Sequence, residues 1–326
     1  MKVVITDQTF PNIAEEQKAL DVLPDLQLID GRCTCEADII AACGDADGIL
    51  NRYNYITEQV IYSLKKCRVI STYGIGLDRI DVEAASRSGI YVCNSPDYNQ
   101  SEVSDHIVTM LLALSRHLFT FDKRIRQGDF TTPYQTVHPR RLSTQTAGFV
   151  GFGRIAGQAA EKLRTAFGMK IMCFDPFLTD EQVAARHATR VDLKTLLRES
   201  DYLSINVSLL PTTRNLIGAK EIALMKPSAF LINCSRGGVV DEAALVDALT
   251  HRRIAGAGLD TFGEEPLPAS HPLCSLENVI LTPHVAWYTM EAIANVQKVA
   301  AEQVALVLSG KQPTLCVNLD AVEKNL

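Results

Sequence analysis

The chain has 326 residues, 47% hydrophobic and 21% charged, with a net charge of −6 and nine cysteines. That length predicts two domains rather than one core. The acidic balance argues against a nucleic-acid surface, and no apolar run is long enough to span a membrane.

The opening run MKVVITDQTF reads as a strand, not as a secretory leader. KVVITD is followed by a helix around AEEQKALDVL, then LQLID, ADGILN, a helix near TEQVIYSLKK, and the strands RVISTYG and GIYVCN. These form a small doubly wound unit ending near residue 100. SEVSDHIVTMLLALSRHLF is predicted as one long helix, hydrophobic nearly all round, with Ser101 as N-cap. A second alternating series begins near Thr146. Its strands are AGFVGF, KIMCFD, YLSINV, AFLINCS, IAGAGLD and NVILTP. MEAIANVQKVAAEQVALVLSG is a final long helix stopped by Gly310, and the tail PTLCVNL is extended. The expected fold is α/β with two doubly wound parallel-sheet domains. One is a substrate-binding domain of 1–100 completed by 294–326; the other is a Rossmann domain of 101–293.

Cys93, Cys173 and Cys234 lie in apolar strand-like runs, which suits reduced thiols in a cytoplasmic protein. Cys33, Cys35 and Cys43 lack C-x-x-C spacing and a clear fourth ligand, so no metal site is expected.

GFVGFGRIAG carries Gly151-x-Gly153-x-x-Ala156 between a strand and a helix, and Asp175 ends the next strand. This is a dinucleotide fingerprint in its proper context. Gly151 permits the tight turn, Gly153 lets backbone approach a pyrophosphate, and the helix start with Arg154 and Ile155 offers N–H groups to phosphates. Asp175 is expected to accept the ribose hydroxyls and repel a 2′-phosphate, so NAD is expected over NADP.

Three further segments follow strands of this series, where such folds bind ligands. NCSRGG places Arg236, whose fork suits a carboxylate. GLDTFGEEP places Asp260 and Glu265, and TPH places His284. Each alone reads equally as a turn or surface residue. Together, a histidine with a carboxylate partner beside a nicotinamide is equipment for moving a hydride and a proton between alcohol and ketone.

STYGIGLDRID, GFGRIAG with Asp175, NCSRGGVVDEAALVDAL, GAGLDTFGEEP and LTPH together resemble the D-isomer-specific 2-hydroxyacid dehydrogenase family over almost the whole chain. Within it, Ala286, Trp287 and Tyr288 after the histidine are similar to the branch of C-terminal-binding-protein corepressors, although that branch has an arginine where this chain has Ser71, Thr72 and Tyr73. The resemblance implies that Arg236 binds the substrate carboxylate and keto oxygen, that His284 is the general acid/base and that Glu265, before Pro266, is its partner. It implies carboxylate binding by amides around Gly74, Ile75 and Gly76, and a nicotinamide contact by Asp260. Ser104, Val207, Thr213 and Cys234 fall where the family touches the cofactor. Trp287 is expected to wall the pocket, suiting an apolar or thioether side chain. A small 2-hydroxy or 2-keto acid is the expected partner, with a homodimer as the assembly. The competing reading is a regulatory protein that senses NAD(H) with little turnover. Among enzymes, a phosphorylated substrate would want cations from Arg52, Arg79 or Arg140.

Overall fold

Most strands are built from short aliphatic runs whose side chains are buried on both faces, as parallel sheets covered by helices require; Val3, Val4 and Ile5 of the first strand are fully buried. The computed structural model describes residues 1–131, 134 and 137–324. It divides into two compact units, Met1–Asn99 with Tyr288–Leu326, and Gln100–Trp287. The last two residues of the expected 294–326 segment lie outside the described residues.

In the first unit, β1 (Lys2–Ile5), β2 (Gln27–Asp30), β3 (Gly48–Asn51), β4 (Val69–Thr72) and β5 (Tyr91–Cys93) form a parallel sheet in the order β2-β1-β3-β4-β5. The helix Met290–Leu308, capped by the Thr289 hydroxyl on the Ala292 N–H, packs on β3, β4 and the helix Ala14–Leu20. Between these helices the buried Glu16 accepts hydrogen bonds from Tyr73 Oη (2.9 Å) and Gln297 Nε2 (2.7 Å). This polar junction pins the chain immediately before Gly74. The C-terminal segment then crosses beside β5, Cys316 pairing antiparallel with Cys93.

In the second unit, β6 (Thr146–Val150), β7 (Lys170–Phe174), β8 (Thr189–Arg190), β9 (Tyr202–Ile205), β10 (Phe230–Asn233), β11 (Gly256–Leu259) and β12 (Val279–Leu281) form a seven-stranded parallel sheet. Its order is β12-β11-β10-β9-β6-β7-β8, so the strand order reverses between β6 and β9. Clusters of buried residues cover both faces.

Several elements differ from the sequence expectation. β8 is a seventh strand of only two residues, too short to show a period. The helices Glu36–Cys43 and Val82–Arg87 were not anticipated, being too short for a clear stripe. Ser101 is not an N-cap: the helix runs Gln100–Ser115 and already includes it. Nor does that helix continue to Phe119. His117 takes a left-handed φ of 50° and a second helix, Leu118–Arg126, starts after it. A left-handed residue ends the hydrogen-bond ladder whatever the apolar pattern around it.

Candidate active site

The turn after β6 approaches the turn after β9 at the reversal of strand order, the place where open α/β sheets bind ligands. Gly151 has φ +82°, and a Cβ there would lie 2.7 Å from both the Asn206 carbonyl oxygen and Val207 Cγ1. No other residue fits, and Val207 is thereby set against the turn. A Cβ on Gly153 would meet no atom within 4 Å. Open space therefore lies in front of the N-terminus of the helix Arg154–Phe167, which begins with Arg154 and Ile155 while Ala156 is fully buried. Asp175 closes the same turn: its carboxylate accepts the Phe152 N–H (2.8 Å) and the Phe177 N–H (2.9 Å). A glycine cradle at a 14-residue helix start, with a fixed carboxylate beside it, fits a dinucleotide. Two cations stand nearby. Arg186 donates to the Phe152 carbonyl (2.9 Å) and Arg190 to the backbone carbonyl of Asp175 (3.1 Å).

The other expected cofactor contacts are placed as follows. Thr213 Oγ1 accepts the Leu210 N–H (2.8 Å) and donates to the Ser208 carbonyl, closing the loop after β9. Cys234 follows β10 with its sulfur 3.9 Å from Met110 Sδ; burial, with the charge of Asp260, pushes its thiol well up and keeps it protonated. Ser104 is fully buried, donating to the Ser101 carbonyl (2.8 Å) and accepting from Lys162 Nζ (2.6 Å).

The strand ends of β10, β11 and β12 carry the reactive group of side chains. After β10, the buried Asn233 organises the turn. Its Oδ1 accepts from the Ser235 N–H and hydroxyl, and its Nδ2 donates to the Arg236 carbonyl (3.0 Å). Gly237 follows because a Cβ there would lie 2.0 Å from the Phe262 carbonyl carbon. Arg236 is thus held beside the loop after β11. In that loop Glu265 Oε1 accepts the Phe262 N–H (3.1 Å) and Oε2 meets His284 Nδ1 (2.9 Å). Burial by itself raises the Glu265 carboxyl. The hydrogen bond and charge of His284, the Phe262 N–H and the charge of Arg236 outweigh it and hold the group below its ordinary value. Glu265 is therefore ionised at neutral pH, and Nε2 is the ring nitrogen of His284 that Glu265 leaves for other chemistry.

His284 has a left-handed φ of 54°, a costly state for a residue with a Cβ, held by its surroundings. Its N–H donates to the Asp260 carbonyl (2.8 Å), and Trp287 Nε1 donates to the His284 carbonyl (2.8 Å). Asp260 is fully buried. Its carboxylate accepts from Thr282 Oγ1 (2.5 Å) and from the Val285 and Ala286 N–H groups (2.9 Å each). His106 Nε2 lies 3.1 Å from Thr282 Oγ1. Trp287 packs its ring against the core cluster that holds Phe152 and Ala286. Sequence reasoning singled out Asp260 and Trp287 but not Asn233, Thr282 or His106. Asn233 and Thr282 each stood one to three residues from a chosen side chain, the only signal available.

In the first unit the Gly74 carbonyl accepts the Ser95 N–H (2.8 Å) and the Ile75 carbonyl accepts Asn94 Nδ2 (2.9 Å). In a trans peptide the next N–H points opposite to the carbonyl. The amides of Ile75 and Gly76 therefore turn away from Asn94 and Ser95. Arg52, just after β3, stacks on Phe10 (4.2 Å) and Tyr53 (4.5 Å), and Arg79 stacks on Tyr55 (5.2 Å). Arg140 lies exposed in the second unit, before Leu142–Thr144. Among the described residues, no group of three or more histidine, cysteine or acidic side chains could hold a metal, and no helix is long and apolar enough to cross a membrane.

Residues 108–286 match the family model of the D-isomer specific 2-hydroxyacid dehydrogenase NAD-binding domain. Over 99% of the chain it is 37% identical to a D-3-phosphoglycerate dehydrogenase of Synechocystis sp., of which it spans only 58% of the length. It is 39% identical to a glyoxylate reductase of Thermococcus litoralis over 82% of each chain. The solved D-lactate dehydrogenase from Aquifex aeolicus, complexed with NAD and lactic acid, is similar with a TM-score of 0.84 at 28% identity, covering 99% of this chain and 98% of that one.

Asp260→Ala is expected to leave a hydroxyl and two amides buried without an acceptor. At about 1–3 kcal/mol for each unsatisfied group, the loss should reach about 3 kcal/mol or more. Urea unfolding of the purified variant measures it; a change under about 0.5 kcal/mol would show that the His284 turn does not depend on this carboxylate.

Proposed function

The chain belongs to the D-isomer specific 2-hydroxyacid dehydrogenase family, and on that premise we propose that it is an NAD-dependent oxidoreductase interconverting a D-2-hydroxy acid and a 2-keto acid. The observation that carries the reading is the 2.9 Å contact between His284 Nδ1 and Glu265 Oε2, with the charge of Arg236 acting on the same carboxylate. The residues that would hold the cofactor are Gly151, Gly153, Arg154 and Ile155 after β6, Asp175 after β7 and Val207 after β9. A nicotinamide held there would supply hydride acceptor and donor chemistry.

The chain's own residues do the rest. Arg236 offers two parallel N–H groups to the substrate carboxylate and keto oxygen and polarises the C2–O bond. His284 hands a proton from Nε2 to the keto oxygen in reduction and takes it back in oxidation. Glu265, ionised and fixed on Nδ1, orients the ring. Asp260 and Trp287 hold the backbone of His284 where the ring can reach both partners. The assignment of Gly74, Ile75 and Gly76 to the substrate carboxylate rests on the family resemblance.

An NADH-oxidation assay over glyoxylate, hydroxypyruvate, pyruvate, phenylpyruvate, 4-methylthio-2-oxobutyrate and 3-phosphohydroxypyruvate tests the reading. Best turnover of an aryl or thioether acid assigns Trp287 to the side-chain pocket. Best turnover of the phosphorylated acid would point to a cation from Arg52, Arg79 or Arg140. Silence across the panel with NADH bound would replace the enzyme by the sensing reading.

His284→Ala should lower turnover at least about 100-fold, the scale of lost general acid/base help; near-normal kcat would remove His284 from the chemistry. Glu265→Gln removes the carboxylate that fixes Nδ1 of His284 and should lower kcat about tenfold or more; an unchanged kcat would refute the pairing. Asp175→Ala removes the carboxylate that repels a 2′-phosphate while Arg186 and Arg190 stay beside it. NADPH use relative to NADH should rise about tenfold or more, a gain of about 1.4 kcal/mol. An unchanged ratio would show that Asp175 does not face the ribose. The exposed Leu118, Phe119 and Ile125 of the helix Leu118–Arg126 support a homodimer; sedimentation at monomer mass would overturn that assembly.

A further inference from the structure

The C-terminal segment makes one contact that the proposed chemistry does not use. Cys316 faces Cys93 across an isolated antiparallel bridge in the first unit. The flanking hydrogen bonds run from the Val317 N–H to the Val92 carbonyl (2.9 Å) and from the Asn94 N–H to the Leu315 carbonyl (3.2 Å). That pattern makes Cys93 and Cys316 the non-hydrogen-bonded pair of the ladder, with the two side chains on one face and Cα atoms about 4.5 Å apart. Disulfides form over Cα separations of roughly 4.4–6.8 Å. The two thiols stand in different surroundings: Cys93 is fully buried, whereas Cys316 is half-buried and reachable from solvent.

We propose that Cys93 and Cys316 are a redox modification site, closing to a disulfide by exchange with a small-molecule disulfide such as oxidised glutathione. Cys316, the accessible sulfur, attacks as its thiolate. Its new bond to one glutathione sulfur breaks the S–S bond and expels the other glutathione. Cys93 then loses its proton and attacks Cys316 Sγ, expelling the second glutathione. Two protons and two electrons pass from the protein thiols to the oxidised glutathione, which leaves as two reduced molecules.

The local electrostatics agree with that order. The contact with Cys316, with burial added, pushes the Cys93 thiol up, while the same contact draws the Cys316 thiol down. Elsewhere, burial pushes Cys43 and Cys67 up to about 12 and Cys173 up to about 11, so these sulfurs stay protonated. The charge of Glu323 acts on Cys316 and opposes its thiolate; the groups hydrogen-bonded around the pair are neutral. Asn318 Oδ1 accepts from Cys316 Sγ (3.2 Å) and from the Val92 N–H (2.8 Å), and Asn318 Nδ2 donates to Ser86 Oγ (2.9 Å) and the Ile90 carbonyl (3.0 Å). The pair also lies one residue from Asn94, whose side chain holds the Ile75 carbonyl, so the crosslink would form beside the anchor of the Gly74–Gly76 loop.

The test is to incubate the purified full chain in glutathione buffers from fully reduced to strongly oxidised, quench with an alkylating agent and map peptides by mass spectrometry. The expected result is a disulfide joining the Cys93 and Cys316 peptides, reversed by reduced glutathione, with two of the nine cysteines lost to alkylation. Exposed Cys35 and Cys274 serve as internal controls for single glutathione adducts. Cys93→Ser should arrest the reaction as a glutathione adduct on Cys316, and Cys316→Ser should leave Cys93 unmodified. Absence of the crosslink where Cys35 and Cys274 already carry adducts would overturn the assignment, as would Cys93 reacting before Cys316. The wild-type map decides the question even if either variant fails to fold.

Discussion

The buried carboxylate of Asp260 accepts three hydrogen bonds from the segment Thr282–Ala286, and that segment carries His284 in a left-handed conformation. The arrangement combines a costly backbone state with a costly buried group, each tolerable because the other satisfies it. Trp287 and the Asp260 carbonyl close the clamp on either side of His284. The ring can therefore reach Glu265 at 2.9 Å without the freedom to turn elsewhere. Backbone that cannot relax in this way suits the general acid/base role proposed for His284.

A similar economy holds at the fingerprint turn. Gly151 is compressed against Asn206 and Val207, while Gly153, two residues on, faces open space. Close packing on one side and a void on the other is what a bound dinucleotide needs. Asp175 is fixed by two backbone amides, so its carboxylate is already held in place beside the turn. Arg186 and Arg190 lie close to it, each on a backbone carbonyl.

Much of this was legible from residue order. The fingerprint glycines, Asp175, Arg236, Glu265 and His284 all stand at strand ends, and the strands were readable because parallel strands are continuous aliphatic runs. The parts that were not legible share a physical cause. Helix Gln100–Ser115 stops because His117 goes left-handed, and no local pattern announces a single dihedral angle. β8 has two residues, fewer than one alternation. The hydrogen bond of Trp287 to His284 turns an apparent pocket aromatic into a fastening as well, and only the folded loop shows it.

By itself the sequence determined the alternating α/β architecture and the chemical types available at each strand end, because both follow from local periodicity and residue chemistry. Only the tertiary structure decided which of those types meet. Asn233 stands behind Arg236, and Cys93 faces Cys316 from the other end of the chain. Such meetings depend on strand register and on a few left-handed residues, quantities set by the packing of the whole fold rather than by any short stretch of it.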